Sequence, residues 1–138
     1  MKIALVYYSG TGNTEAMAEI IRSELQGKAE VTVIDPPAFG PEDLRSYDAF
    51  AFGCPAMGQE VLEEEIFEPM FASIEGGLNG RKIIIFGSYG WGDGEWMRSW
   101  EERCIADGAI LTHAPVIANE APDETAEAEL REAAGSLL

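Results

Sequence analysis

Hydroxyl side chains and glycines are concentrated in one short segment, YSGTGNT, near the start of the chain. The segment lies between an apolar run at residues 2–8 and an amphipathic stretch, so it is expected to join a buried strand to a helix. The first amides of a helix carry partial positive charge, and glycines let the backbone approach a ligand closely. We therefore predict an anion-binding loop formed by Ser9, Gly10, Thr11, Gly12, Asn13 and Thr14.

Two other phosphate-binding motifs are excluded by single residues. A nucleoside-triphosphatase loop ends in GK[ST], and no lysine follows this loop, so hydrolysis of ATP or GTP is not expected. The dinucleotide fingerprint GxGxxG begins at Gly10 and Gly12, but Glu15 replaces its third glycine and would repel a pyrophosphate. An ordinary capped turn explains one glycine and one hydroxyl, whereas this loop has two glycines and three hydroxyls. The loop suits a single terminal phosphate.

A tryptophan lies among three glycines in the segment SYGWGDG, residues 88–94, which follows the apolar run RKIIIFG. Glycines of this kind permit a tight turn that lifts Trp91 clear of the sheet edge, where a flat ligand can stack on the indole. Trp96 and Trp100 are spaced four residues apart on an apolar helical face, so we assign them to the core.

A second candidate loop, CPAMGQE, covers residues 54–60. Met57 offers a soft apolar surface to an aromatic ring, Gly58 can change its backbone conformation at low cost, and Glu60 can accept a hydrogen bond from a ring N–H. Alone, the loop is as well explained as a surface turn. Combined with the phosphate loop and Trp91, it predicts a pocket for a flat ring that carries one phosphate.

The elements that must position these loops follow from hydrophobic periodicity. Apolar runs predict five strands at residues 2–8, 30–35, 48–53, 81–87 and 109–117, the last being the weakest. Helices are predicted after the first loop and up to Gly27, over 93–107, where Trp96, Trp100 and Cys104 share a face, and over 122–137 with Pro122 in the first turn.

Strands that alternate with helices predict a doubly wound α/β fold, in which a parallel sheet is covered on both faces. Ligands of such folds lie beyond the carboxyl ends of the strands, at the point where the winding reverses. The loops after strands one, three and four are the three unusual segments described above. With 138 residues and no linker or repeat, we expect one domain over residues 1–138.

Charge and cysteine usage limit the partners. A net charge of −16 argues against nucleic acid and anionic membranes, and no apolar run is long enough to span a bilayer. Cys54 and Cys104 form no CxxC or metal motif, and no signal peptide is evident, so a cytoplasmic location is expected. An acidic surface can serve solubility alone. Residues 46–80, however, contain seven acids and no base and would attract a basic-faced partner.

Three segments, YSGTGNTEAMA, GCPAMGQEVLEE and FGSYGWGDGEWM, resemble those of short-chain bacterial flavodoxins, and the element order agrees over the whole chain. The resemblance implies a five-stranded parallel sheet of order 2-1-3-4-5 and noncovalently bound FMN. It further implies a monomeric low-potential one-electron carrier that cycles between semiquinone and hydroquinone and shuttles electrons between redox proteins, rather than an enzyme.

The resemblance also implies roles for single residues. Ser9 to Thr14 would hold the FMN phosphate, Met57 and Trp91 would cover the two faces of the ring, and Glu60 would bind its pyrimidine N–H. Further contacts would come from Pro55, Ala56, Gly58, Gln59, Ser88, Tyr89, Gly90 and Gly92, with the Gly58 carbonyl turning toward N5 of the ring upon reduction.

Two positions depart from the pattern. Pro55 stands where some family members have a serine, which removes one hydroxyl donor. A type II turn at Gly58 and Gln59 would require a positive φ at Gln59, so we expect Gln59→Gly to relieve left-handed strain and stabilise the semiquinone by up to about 1 kcal/mol.

Two alternatives remain at this point. A flavin-dependent quinone reductase of related fold would need room over the ring, which a stacked Trp91 would occupy. A phosphorylated signalling receiver of similar topology would need acidic residues after strand one, where Ser9 and Gly10 stand.

Overall fold

The computed structural model describes all residues, 1–138, and contains one sheet in which every strand pairing is parallel. The strand order is β2-β1-β3-β4-β5, and a sixth strand also pairs with β4. The strands are β1 (Lys2–Tyr7), β2 (Glu30–Ile34), β3 (Ala49–Gly53), β4 (Lys82–Tyr89), β5 (Ile110–Leu111) and β6 (Val116–Asn119). The predicted doubly wound sheet is confirmed.

Four α-helices connect or follow the strands: α1 (Asn13–Leu25), α2 (Phe67–Ile74), α3 (Glu95–Ala106) and α4 (Glu124–Ser136). Short 3₁₀ helices occupy Pro36–Ala38, Pro41–Ser46 and Glu75–Gly77. The last helix begins two residues later than predicted, because the Asp123 side chain accepts the amide of Ala126 at 2.8 Å and so fixes the start. Pro122 therefore precedes the helix. No helix is both long and apolar enough to cross a bilayer.

Two apolar cores lie on opposite faces of the sheet because side chains alternate along each strand. In β1, Ile3 and Leu5 pack on the face covered by α1 and α4, whereas Ala4 and Val6 pack on the face covered by α2 and α3. The second core is strongly aromatic, and its buried rings include Phe50, Phe52, Phe67, Phe71, Trp96 and Trp100. The assignment of Trp96, Trp100 and Cys104 to the core is confirmed, since each is at most 1% exposed.

The fifth strand is interrupted, contrary to the single run predicted over 109–117. Ile110 pairs with Lys82 and Val116 pairs with Phe86, so two extra residues are inserted between β5 and β6 relative to β4. Pro115 has no amide hydrogen to give to the ladder, which favours a break at this point. The strand resumes as β6 and runs on to Asn119, at the same sheet edge as the three predicted loops.

Candidate functional site

The loops after β1, β3 and β4 meet at the carboxyl edge of the sheet around a cavity of about 200 Å³. Its lining comes from all three predicted loops and from the end of β6: Gly10, Thr11, Asn13, Pro55, Ala56, Met57, Ser88, Tyr89, Gly90 and Glu120. None of these residues is basic. Ser9, Gly12, Thr14, Gly58, Gln59, Glu60, Trp91 and Gly92, which were predicted to contact the same ligand, lie outside this lining.

The first loop presents backbone donors rather than cations. The Ser9 hydroxyl oxygen accepts hydrogen bonds from the amides of Gly12 and Glu15, each at 3.1 Å. Two of the backbone donors at the start of α1 are thereby satisfied. Four further amides, those of Gly10, Thr11, Asn13 and Thr14, have no acceptor within the protein. Unpaired amides at a helix N-terminus form a ready site for an anion.

Thr14 has a different position from its neighbours in the loop. Its side chain is buried, its hydroxyl lies 2.9 Å from the Ser88 hydroxyl, and it accepts the Ser88 amide at 3.3 Å. The hydroxyl is thus used inside the protein, where it ties the first loop to the end of β4. It fixes the spacing of two loops on either side of the cavity.

The second loop is a short hairpin in which Met57 and Val61 exchange two backbone hydrogen bonds, at 2.9 and 3.1 Å. Positive φ angles occur at Gly58, 49°, and at Glu60, 56°. The prediction of a positive φ at Gln59 is wrong for this conformation, and the argument for strain relief by Gln59→Gly loses its basis. The energetic cost of a left-handed backbone conformation applies to Glu60 instead.

The Glu60 carboxylate caps α3, the helix that follows the third loop. It accepts the amide of Glu95, the first residue of α3, at 3.2 Å, while Gly94 offers no side chain for that purpose. The carboxylate also packs against Gly92, where a Cβ would come within 2.6 Å of it. Glu60 thereby joins the hairpin to the loop that carries Trp91.

The three tryptophans divide as the sequence predicts. Trp91 is 66% exposed in the third loop, whereas Trp96 is buried and donates its indole N–H to the carbonyl of Cys54 at 3.1 Å. Trp96 also lies against Tyr89, with ring centroids 5.6 Å apart. The buried Trp96 therefore packs against Tyr89, which lines the cavity, and the exposed Trp91 follows Gly90 of the same lining along the chain.

Glu120 is a site residue that the sequence argument missed. It follows β6, has a φ of 59°, and donates its amide to the carbonyl of Tyr89 at 2.8 Å. Its carboxylate lies near Gly90 and lines the cavity. The signal was available, because the turn between the last strand and the last helix lies at the same sheet edge as the other loops.

Glu63 organises the segment between the second loop and α2. Its buried carboxylate accepts the amides of Glu65, Ile66 and Phe67 at 2.8, 2.7 and 2.7 Å. Burial acts to raise the pKa of Glu63, but the three amide hydrogen bonds outweigh it and hold the pKa below its usual value. The negative charge is therefore an internal helix cap.

The two cysteines are separate, buried thiols. Both thiols are buried and unpaired, and burial raises the pKa of Cys54 and of Cys104 to about 12. No group of three or more histidine, cysteine or acidic side chains is arranged to hold a metal ion.

Comparison with known proteins gives concordant matches. The sequence model of the family described as flavodoxin matches residues 5–133. A flavodoxin from Clostridium beijerinckii is 45% identical over 121 residues, which cover 87% of this chain and 88% of that one. A flavodoxin from Megasphaera elsdenii is 43% identical over 134 residues, 96% of this chain and 97% of its own. The solution structure of the two-electron reduced M. elsdenii flavodoxin superimposes with a TM-score of 0.89 over 98% of this chain and 97% of that chain.

Proposed function

This chain belongs to the flavodoxin family, and from that premise we propose that the cavity at the ends of β1, β3, β4 and β6 is its FMN site. The protein is an electron carrier that uses FMN and is not an enzyme. FMN supplies the redox chemistry, because its ring accepts and releases electrons one at a time. The protein supplies binding, orientation and the local electrostatic environment.

The four unpaired amides at the start of α1 carry this proposal. They belong to the same loop as the exposed Thr11 hydroxyl, and the cavity that this loop lines contains no lysine or arginine. A single phosphate group would satisfy these donors and benefit from the helix dipole. The ring would extend from there toward the second and third loops.

Met57 and Trp91 are the proposed ring contacts. Both side chains are exposed, at 36% and 66% of their surfaces. A flat ring between them would remove that apolar surface from water and exclude solvent from itself. The backbone of Ser88, Tyr89 and Gly90 would face the polar edge of the ring. The carboxylates of Glu60 and Glu120 would disfavour negative charge on it.

The experiment compares FMN with riboflavin, which lacks only the phosphate, on protein stripped of its flavin. If the amides bind phosphate, FMN should bind at least about 100-fold more tightly, since two charge-assisted hydrogen bonds suffice for that ratio. Flavin fluorescence quenching measures both affinities. Equal affinity for the two flavins would refute the phosphate assignment.

Ring stacking has a separate test in Trp91→Ala, with Ile105→Ala as the matched exposed control. We expect Trp91→Ala to lower the affinity for both flavins by about tenfold or more, in line with the loss of one aromatic stack. The control should leave both affinities unchanged. Identical affinities of the two variants would refute the stacking assignment.

The acidic region from Asp48 to Glu75 has fewer free carboxylates than its sequence suggests. Glu63 is held by backbone amides, and Glu68 and Glu75 each approach the Arg103 guanidinium to 2.7 Å. These three carboxylates are thus engaged within the fold, although the single charge of Arg103 offsets only one of the three negative charges. A partner would therefore meet a carboxylate that remains exposed beyond the second loop, that of Glu64.

Flavodoxins pass electrons to redox partner proteins. For this chain we propose that those partners present a basic face to Glu64 and the cavity rim, which would speed encounter and make it sensitive to salt. We further propose a single domain over residues 1–138, a monomer, and a cytoplasmic location. These features are consistent with the net charge of −16 and with the two buried, reduced thiols.

A further inference from the structure

A long groove lies on the β2 side of the first loop, away from the proposed FMN cavity. It consists of two adjoining cavities of about 490 and 390 Å³, both of which are lined by Pro36, Pro37 and Ile66. Tyr8 lies at the end nearest the first loop, and Met70 of α2 lies at the other end. We call this feature the prolyl groove. Its volume is ample for several side chains of an extended segment.

The walls of the prolyl groove are already rigid. Pro36 and Pro37 belong to a 3₁₀ helix in which their φ angles are restricted, and the amide of Ile66 is held by the buried Glu63 carboxylate at 2.7 Å. Ile66 nevertheless leaves 39% of its surface exposed. A preformed wall with an exposed aliphatic side chain can bind a partner with little ordering cost.

Charge along the groove has one sign. Glu15, Asp35 and Glu65 line it, none of them forms an ion pair, and the lining contains no lysine or arginine. The pKa of Tyr7, at the same end, is raised first by burial and then by the negative charges of Glu15, Glu19 and Asp35. The groove therefore combines an apolar floor with a negative rim.

This combination selects among possible occupants. A second copy of the chain, which also carries −16, would be repelled, and so would nucleic acid or an anionic membrane. A polar metabolite would find few donors, because the walls are mainly proline, aromatic and aliphatic side chains. A protein segment that carries both apolar and cationic side chains complements the floor and the rim together.

We propose that the prolyl groove is a docking site for an extended basic segment of a partner protein, anchored by an apolar side chain against Ile66. This inference goes beyond electron transfer at the flavin, because the groove is lined by the segment after β2 and by the start of α2. Lysine or arginine residues of the segment pair with Glu15, Asp35 and Glu65. The site would hold a partner by a second contact while the flavin edge remains free.

A random peptide library displayed on phage, selected against the immobilised FMN-loaded protein, supplies the probe. We expect the recovered peptides to be rich in lysine or arginine around an apolar residue. When a synthetic copy is titrated into nitrogen-15-labelled protein, the largest amide shifts should occur at Ala38, Ile66 and Met70. Recovery of no binder, of binders without basic residues, or of shifts centred on Trp91 would overturn the proposal.

Matched variants make the test independent of FMN binding. Ile66→Ser should lower the affinity for the peptide by about tenfold or more, as expected for loss of an aliphatic anchor that the peptide buries. Ile105→Ser should change this affinity less than twofold. Glu65→Gln should lower the affinity several-fold at low salt only, and Glu102→Gln should leave it unchanged. Flavin fluorescence and melting temperature confirm that each variant is loaded and folded. Equal affinities for the two isoleucine variants would refute the anchor.

Discussion

Replacing Glu63 by glutamine tests whether a buried charge fixes the start of α2 and, with it, the wall next to the second loop. The carboxylate accepts three amides at 2.7 to 2.8 Å. A glutamine oxygen can still accept the Ile66 and Phe67 amides, but its NH₂ group would face the Glu65 amide, so one charge-assisted bond is lost and a donor is left unpaired.

The expected cost follows from these contacts. Loss of one charge-assisted hydrogen bond costs about 1.5 to 3 kcal/mol, and loss of a negative charge at a helix N-terminus adds about 0.5 kcal/mol. We expect Glu63→Gln to lower the free energy of unfolding by about 2 to 3.5 kcal/mol. For a chain of this size that corresponds to a decrease of roughly 7 to 12 °C in Tm. Glu64→Gln, at an exposed neighbouring position, should change Tm by about 1 °C or less.

The pH dependence provides a second measurement on the same pair. Because the pKa of Glu63 is lowered in the folded protein, its stabilising effect is fully present above the unfolded pKa, about 4.3, and is lost as pH falls through the folded pKa. Calorimetry or circular dichroism melting should therefore show a difference between wild type and Glu63→Gln that is constant near neutral pH and shrinks in acid. A Tm equal to that of Glu64→Gln, or a difference that persists in acid, would refute this explanation.

Three further changes test other contacts, each judged against a substitution at the exposed Thr125 of α4. Thr14→Val removes the hydroxyl that meets Ser88 at 2.9 Å, so we expect a loss of about 1 to 2 kcal/mol in unfolding free energy and weaker FMN binding, which unchanged melting would contradict. Thr11→Lys should raise the potential of the second one-electron reduction by about 20 to 70 mV at low salt, because a cation near the phosphate offsets negative charge on the reduced ring. A spectroelectrochemical titration measures this potential. No shift relative to Thr125→Lys would mean that the loop anchors the phosphate without influencing the potential. Burial raises the pKa of Asp107 to about 6, so its contribution to stability is present below about pH 4 and is lost as pH rises through 6. The Tm of the wild type relative to that of Asp107→Asn should therefore fall over this range, and parallel Tm-against-pH curves would contradict it.

Local patterns predicted most of the fold because they report burial directly. The runs KIALVYY and RKIIIFG are apolar on both faces, as central parallel strands must be, and they became β1 and β4. The spacing of Trp96 and Trp100 predicted α3 for the same reason. The break in the fifth strand was not evident, since AILTHAPVI remains apolar through it and only the pairing with β4 reveals the two extra residues.

Contacts distant in sequence account for what was missed at the site. Thr14 was predicted to face a phosphate, yet its hydroxyl meets Ser88, 74 positions away, and a residue type alone cannot reveal that partner. Glu63 was counted among surface acids because glutamate is rarely buried, and only the fold shows the three amides that compensate its burial. The positive φ at Glu60 rather than Gln59 depends on how the hairpin closes between Met57 and Val61.

The two-residue insertion between β5 and β6 has a consequence for how this protein can change in length. Side chains alternate with a period of two along a strand, so an even insertion leaves Val116 and Ala118 on the face of α1 and α4, and Ile117 on the other face with Leu111. An odd insertion or deletion at 112–115 that was passed on to β6 as a shift along β4 would exchange the two sets and expose apolar side chains. Lineages that change the length of this segment by two residues should keep both sets on their present faces of the sheet.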